Sequence, residues 1–283
     1  MSARRLPLRE KGSRSVCLNT PVALDELCSS LDQAGFVLLR GVFATEMVEE
    51  FAGVADECFR ELEAIRTRHG AEAVARSLPP GQKYLPAASS FTFDAIFQED
   101  RRRQVLGALA TRPLRPLIET VLGGPCACDL DQAWVRRQYA PGHYPPGHAP
   151  HGWHQDGALG FDFTAVGGTE PGSEALLRLV TCWVPLTPCG SEAPGLEFLA
   201  RRWERLRPVA GLREEQLRVE FPPEEFHRPV LQPGDALVFL GDTLHRTYVT
   251  PEMRRDRTSL EFRFVAANRI PPRLAMDRFL PLV

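Results

Sequence analysis

The chain has almost no surplus of charge. Its 34 Lys and Arg stand against 36 Asp and Glu, a net charge of −2 over 283 residues. That balance gives no basis for binding nucleic acid or an anionic membrane surface. No apolar run approaches the ~18 residues a membrane span needs. The opening stretch, MSARRLPLREKGSRS, lacks the apolar segment and cleavage site of a secretory signal, and residues 1–18 read as a loose tail. A disulfide framework is missing as well. Cys17, Cys28, Cys58, Cys126, Cys128, Cys182 and Cys189 are odd in number and irregularly spaced. Cys126-Ala-Cys128 lacks the two-residue gap of common zinc knuckles. The thiols read as small buried hydrophobes in a reducing cytosol, so a cytoplasmic protein is expected. With no internal repeat and no clear linker, residues 1–283 read as one domain. At this length about three quarters of the unfolded surface can be buried.

Two periods divide the chain. In the first half, Leu24, Leu27, Cys28 and Leu31 recur at helical spacing, with Thr20-Pro21 as a start signal and Gly35 as a stop. FVLLRGVF (Phe36 to Phe43) reads as a strand. Thr45 then caps a second helix whose apolar stripe includes Val48, Phe51, Ala55 and Phe59. Ser77 to Phe97 reads as irregular, and Phe91 and Phe93 suit a core or a pocket wall equally. A third helical pattern runs from Val105 to Val121 and ends at Gly123-Gly124-Pro125. Thereafter short strand-like runs alternate with Pro/Gly-rich loops: Ala127 to Ala140, Leu176 to Thr187, Gly195 to Ala200, Ala236 to Leu240 and Arg257 to Ala266. Many short strands without long helices between them predict an antiparallel sandwich or barrel rather than a parallel sheet.

The most informative motif is His154-Gln155-Asp156 in HGWHQDG. Placed on a strand, residues two apart share a side, so His154 and Asp156 project together and Gln155 points away. His245, in GDTLHRT, follows 91 residues later, just beyond the run ALVFL. Two imidazoles and a carboxylate can occupy one face of an octahedral metal and leave the other face open, as in the facial triad of non-haem Fe(II) oxygenases. His143, His148 and His151 crowd close to His154 and read as loop residues near the entrance. His69 and His227 read as solvent-exposed.

Arg257 lies 12 residues beyond His245 and opens RTSLEFRFVA. Period two puts Arg257, Ser259, Glu261 and Arg263 on one face, where an arginine fork beside a hydroxyl can grip a carboxylate. Arg136, Arg137, Arg178 and Arg263 read as outward-facing strand residues, with contact to an anionic substrate as the lesser reading. Phe161 and Phe163 suit a pocket or a core equally.

These segments together resemble the phytanoyl-CoA dioxygenase-like branch of the Fe(II)/2-oxoglutarate oxygenases. LDQAGFVLLRGVFATEMVEEF, WHQDG, TCWVPLTPCGSEAPGLEFL, LQPGDALVFLGDTLHRT and DRTSLEFRF carry the resemblance in order along most of the chain. The resemblance implies a mainly β fold, a double-stranded β-helix (jelly roll), with N-terminal helices packed outside. It implies His154, Asp156 and His245 as iron ligands and catalytic residues. It implies Arg257, with Ser259, as the anchor of the distal carboxylate of 2-oxoglutarate. Thr181 matches a position that hydrogen-bonds that carboxylate, Trp183 one that flanks the cosubstrate, and Gln132 a further cosubstrate contact. ARRWERLRP and the His/Pro-rich loop before His154 depart from the family pattern, in regions that bear on substrate.

The expected activity is oxidation of an unactivated C–H bond of a small molecule, using O2 and releasing succinate and CO2. Hydroxylation or another oxidation is favoured over halogenation because Asp156 fills the position that related halogenases leave to halide. Secondary metabolism is one setting that the family's breadth suggests. Two other classes remain open at this level: a cupin-type metal enzyme that does not use 2-oxoglutarate, and a non-catalytic binding protein on the same fold. The substrate and the oligomeric state are not legible in the sequence.

Overall fold

Alternation of side chains along the β-strands sets the architecture of the computed structural model. It describes residues 16–17, 23–111, 113–158, 179–203, 206–207, 212–270 and 278–282. The N-terminal half carries α1 (Leu24–Ala34), α2 (Thr45–His69), α3 (Ala71–Ser77), α4 (Phe93–Ile96), α5 (Glu99–Leu109) and α6 (Leu114–Leu122). Between them run β1 (Val16–Cys17), β2 (Phe36–Arg40), β3 (Tyr84–Leu85) and β4 (Ser90–Thr92). The C-terminal half follows with β5 (Cys126–Asp129), β6 (Trp134–Gln138), β7 (Leu179–Pro185), β8 (Gly195–Leu199), α7 (Glu214–Glu220) and β9 (Phe226–His227). It closes with β10 (Ala236–Leu240), β11 (His245–Tyr248), β12 (Arg257–Ala266) and β13 (Phe279–Pro281).

Ten strands form the major sheet in the order β1-β2-β10-β7-β12-β6-β4-β3, with β5 joining β12 to β13. The minor sheet is β11-β8-β9. All these pairings are antiparallel except β1 with β2. The result is the expected jelly roll, left open rather than closed into a barrel.

The major sheet is buried on both faces. Val37 and Leu39 of β2, Val180, Cys182 and Val184 of β7, Val238 of β10, and Leu260, Phe262 and Phe264 of β12 pack against the helices. Their alternate neighbours Phe36, Leu38, Trp183, Leu237 and Phe239 face the minor sheet, which answers with Leu196 and Phe198. Phe198 stacks on Phe36 with ring centroids 4.6 Å apart and meets Phe239 edge-on at 5.3 Å. This inter-sheet layer is the floor of the site described below.

Local chemistry explains the boundaries. Gly35 ends α1 at φ 79°, where a Cβ would meet Thr243 Oγ1 at 2.7 Å. Thr45 is the first residue of α2 rather than its cap; Ala44 takes the cap position without a side-chain hydrogen bond. The expected third helix is two, α5 and α6, with Pro113 at the second N-cap. Proline has no N–H to continue a helical ladder. Ser77 to Phe97 is more ordered than expected and contains β3, β4 and all of α4. The expected strand from Ala127 to Ala140 is broken at Leu130–Gln132, where the Asp129 side chain accepts from the Asp131 N–H and closes a 3-10 turn. Phe91 and Phe93 are core residues on the helix side. His69 is exposed, as expected, but His227 is half-buried against Phe36, with centroids 6.0 Å apart. The Thr20-Pro21 start signal, Phe161, Phe163, Arg178 and residues 1–15 of the expected tail lie outside the described residues.

Phe198 has no exposed surface and joins the two sheets. Phe198→Ala is therefore expected to cost about 3–5 kcal/mol, the range for a buried aromatic cavity. Urea denaturation with an unchanged slope would measure it; a loss below about 1 kcal/mol would mean the inter-sheet layer is not a stability element.

Candidate metal centre

Three side chains from two separated segments meet in one buried cluster. His154 and His245 form an isolated antiparallel bridge, each N–H donating to the other's carbonyl at 2.9 and 3.0 Å. The rings lie 4.2 Å apart. Asp156 does not continue a strand; it opens a 3-10 turn, Asp156–Ala158. The Gly157 N–H donates to Gly241 O at 2.9 Å and fastens that turn to the loop after β10. His154 and Asp156 thus converge as expected, on a different backbone. His245 is the first residue of β11.

Histidine Nδ1 points to a carbonyl in both cases: His154 to Gly152 O at 2.7 Å and His245 to Thr243 O at 3.0 Å. A carbonyl only accepts, so Nδ1 carries the proton and Nε2 keeps its lone pair. Both Nε2 atoms face Asp156 Oδ1, at 3.8 and 3.9 Å. The ligand atoms of the three residues lie within 4.8 Å of one another, and all three side chains are buried. Burial pushes both imidazoles below their ordinary range and keeps them neutral. Burial alone would raise the Asp156 carboxyl. That is the largest single influence, but the Arg263 guanidinium, through charge and hydrogen bond, and the two histidines together outweigh it and hold the group well below the carboxylate range. Two neutral nitrogens and one anionic oxygen suit a divalent metal of the iron type.

The triad opens on a narrow cleft that His151, Thr181, Trp183, Phe239, Thr247 and Arg257 also help to line. Arg257 has no exposed surface, yet its Nε, Nη1 and Nη2 have no acceptor among the described residues. Ser259 Oγ is also buried and unpartnered. The guanidinium carbon sits 5.0 Å from the Trp183 ring, and burial lowers the Arg257 pKa to about 10. A buried cation left without acceptors is costly, so the cleft is built for an anion.

A model of the phytanoyl-CoA dioxygenase (PhyH) family matches residues 31–255. The chain belongs to the phytanoyl-CoA dioxygenase family. Members of that family are iron- and 2-oxoglutarate-dependent oxygenases. Among solved structures, the non-heme alpha-ketoglutarate-dependent epimerase SnoN from nogalamycin biosynthesis is 17% identical, with a TM-score of 0.60 over 93% of this chain and 97% of that one. EctD from S. alaskensis with bound Fe is 13% identical, with a TM-score of 0.62 over 88% and 79%. The carbocyclase SnoK, also from nogalamycin biosynthesis, is 14% identical, with a TM-score of 0.57 over 93% and 100%. At such identities the likeness concerns the fold. No curated protein matches the chain.

Within this phytanoyl-CoA dioxygenase fold, the residues expected at the site divide into two groups. His154, Asp156, His245, Arg257 and Trp183 surround one cleft. Thr181 lines it too, and its hydroxyl donates to Asp156 Oδ2 at 2.6 Å. Gln132 lies in the turn before β6. Its side chain accepts from Trp134 Nε1 at 3.4 Å and its carbonyl from Arg263 Nη1 at 3.1 Å. It is not among the residues lining the cleft.

Sequence reasoning misplaced two arginines and overlooked one glutamine. Arg136 and Arg263 are buried at the cleft instead of facing outward. The period-two pattern that singled out Arg257 contained Arg263, and its implication applied equally to both. Gln155 points away from the triad, as expected, yet is fully buried. Its amide donates to Asp242 O at 2.6 Å and accepts from the Arg207 N–H at 2.7 Å, binding two loops to the ligand segment.

His148 pins the Pro/Gly-rich entry loop. Gln138 Nε2 donates to its Nε2 at 2.8 Å, which leaves Nδ1 to donate to Ser89 Oγ at 3.3 Å. Burial, reinforced by Arg66, Arg136 and Arg257, lowers its pKa from 6.5 to about 4. The unfolded chain therefore takes up this proton first as pH falls. The stability that His148 contributes is complete above pH 6.5 and is lost as the pH falls through about 4. His148→Gln is expected to flatten the acid limb of the stability–pH curve by up to about 1.4 kcal/mol per pH unit. An unchanged slope in denaturation between those limits would remove His148 from that role.

Proposed function

We propose that this protein is an iron(II)- and 2-oxoglutarate-dependent oxygenase that hydroxylates a C–H bond of a small-molecule substrate in the cytoplasm. His154, Asp156 and His245 hold the iron. Arg257 and Ser259 take the distal carboxylate of 2-oxoglutarate, and Trp183 forms a wall beside it. The observation that carries this reading is the buried, unpartnered guanidinium of Arg257 in the same cleft as the triad. A cupin-type enzyme without the cosubstrate would leave that cation without an anion, and a binding protein would need no metal ligands. Cys58, Cys126, Cys128, Cys182 and Cys189 are free thiols, which suits a reducing compartment. No helix among the described residues is long and apolar enough to cross a membrane.

Bound iron and 2-oxoglutarate would supply the oxidising chemistry, in which O2 is consumed, the cosubstrate leaves as succinate and CO2, and one oxygen atom goes to the substrate. The chain's own part is orientation and exclusion of water. Protonated Nδ1 atoms aim the histidine lone pairs inward. Asp156 stays ionised without solvent because Arg263 and Thr181 bind it. Arg257 gives a dicarboxylate a charge-assisted fork at a depth where water competes poorly. Phe239 and Leu196 keep the other side of the cleft apolar.

An anaerobic titration of the full chain with Fe(II) and then 2-oxoglutarate tests this through the visible iron-to-oxo-acid charge-transfer band. A stoichiometric band is expected, abolished in Asp156→Ala. Truncating one partner of a buried charge pair costs about 2–5 kcal/mol, so Arg257→Ala should need roughly 30- to several-thousand-fold more cosubstrate. No band despite bound iron would sink the cosubstrate assignment.

A further inference from the structure

Asp156 is held by more donors than a simple ligand requires. Arg263 Nη2 donates to Oδ1 at 3.0 Å and Nε donates to Oδ2 at 3.2 Å. Thr181 Oγ1 donates to Oδ2 at 2.6 Å. A carboxylate offers about four lone-pair sites, two on each oxygen. Both sites on Oδ2 are therefore engaged, and one of the two on Oδ1. The remaining lone pair belongs to Oδ1, the oxygen that faces His154 Nε2 at 3.8 Å and His245 Nε2 at 3.9 Å.

We infer that Arg263 is a positioning residue that, with Thr181, restricts Asp156 to presenting a single oxygen to the metal. The inference rests on the proposed metal role of the triad. Its value for the reaction lies in coordination number. A carboxylate free to turn can offer both oxygens and occupy a position that cosubstrate or O2 needs; a clamped one cannot.

Arg263 is itself fixed firmly enough to act this way. It is buried, its Nη1 donates to Gln132 O at 3.1 Å, and Glu261 Oε2 lies 3.8 Å from Nη2. Glu261 is gripped in turn by Arg136, through Nε at 2.7 Å and Nη2 at 3.1 Å. Four charges of alternating sign thus run from β6 through β12 to the ligand. Arg263 stands six residues from Arg257 on the same face of β12, about 20 Å along the strand. One strand face would therefore serve both the cosubstrate anchor and the metal ligand.

Orientation and charge predict opposite effects, and that makes the inference testable. A cation beside a metal repels it, so charge alone predicts tighter metal binding when Arg263 is lost. Loss of a hydrogen-bond partner behind a ligand usually weakens metal binding 10–100-fold. The experiment titrates metal-free full-length protein with Co(II) anaerobically and reads affinity and visible band shape in wild type, Arg263→Gln, Arg263→Lys, Thr181→Val and Asp156→Ala. Arg263→Gln is expected to bind Co(II) at least tenfold more weakly, with an altered band as the freed Oδ2 enters the coordination sphere. Thr181→Val is expected to weaken binding several-fold. If Arg263→Gln does not fold, as judged by circular dichroism, Arg263→Lys decides. It keeps the buried charge but offers one ammonium where two oxygens need a fork, and its affinity must also fall several-fold. Wild-type affinity and band shape in the folded Arg263 variants, with binding lost in Asp156→Ala, would overturn the role of Arg263 alone. Wild-type affinity in Asp156→Ala would overturn the metal centre as well.

Discussion

A carboxylate with no solvent exposure stays ionised only where cations and donors are held as firmly as it is, and Asp156 is such a group. Its compensation comes from β7 through Thr181 and from β12 through Arg263, two neighbouring strands of the major sheet. The histidines that complete the cluster come from the segment before the 3-10 turn and from β11 of the minor sheet. The site exists because the two sheets face each other at one spacing. Any shift between them would move His245 away from Asp156, which Thr181 and Arg263 hold to the major sheet.

A second buried carboxylate secures the other side of the minor sheet. Glu197 has no exposed surface and accepts from Arg218, Arg228 and Arg246 at 2.6–2.7 Å. Those arginines sit on α7, just after β9, and on β11, so one anion ties together the elements behind His245. The alternation of β8 makes this possible, since Leu196 and Phe198 face the major sheet and Glu197 faces α7. Burial of the anion costs free energy, and three charge-assisted bonds offset it while fixing the register of β11. The imidazole of His245 then inherits a position defined from both faces of its sheet.

Much of this was legible before any coordinates. The ligand triplet, the strand-forming runs and the alternating face of Arg257 to Arg263 follow from residue type and spacing. The contact of Thr181 with Asp156 was not foreseen, because a hydroxyl on an inward strand position can serve any nearby anion and only distance shows which one it reaches. Gln132 was misplaced because the Asp129 turn is a single side-chain hydrogen bond inside an otherwise strand-like run. Arg136 and Arg263 were read as outward because arginine rarely enters a core, a tendency that fails when a carboxylate is already buried there.

By itself, then, the sequence determined periodicities: which side chains share a face, where helices yield to strands, and which residue types can bind a metal or an anion. Those properties are local, because backbone geometry repeats every two or 3.6 residues. Only the tertiary structure decided which donor serves which acceptor. Pairing strands distant in the chain sets the ångström-scale distances on which hydrogen bonds and ion pairs depend, and no spacing in sequence encodes that His154, Asp156, Thr181, His245 and Arg263 meet around one carboxylate.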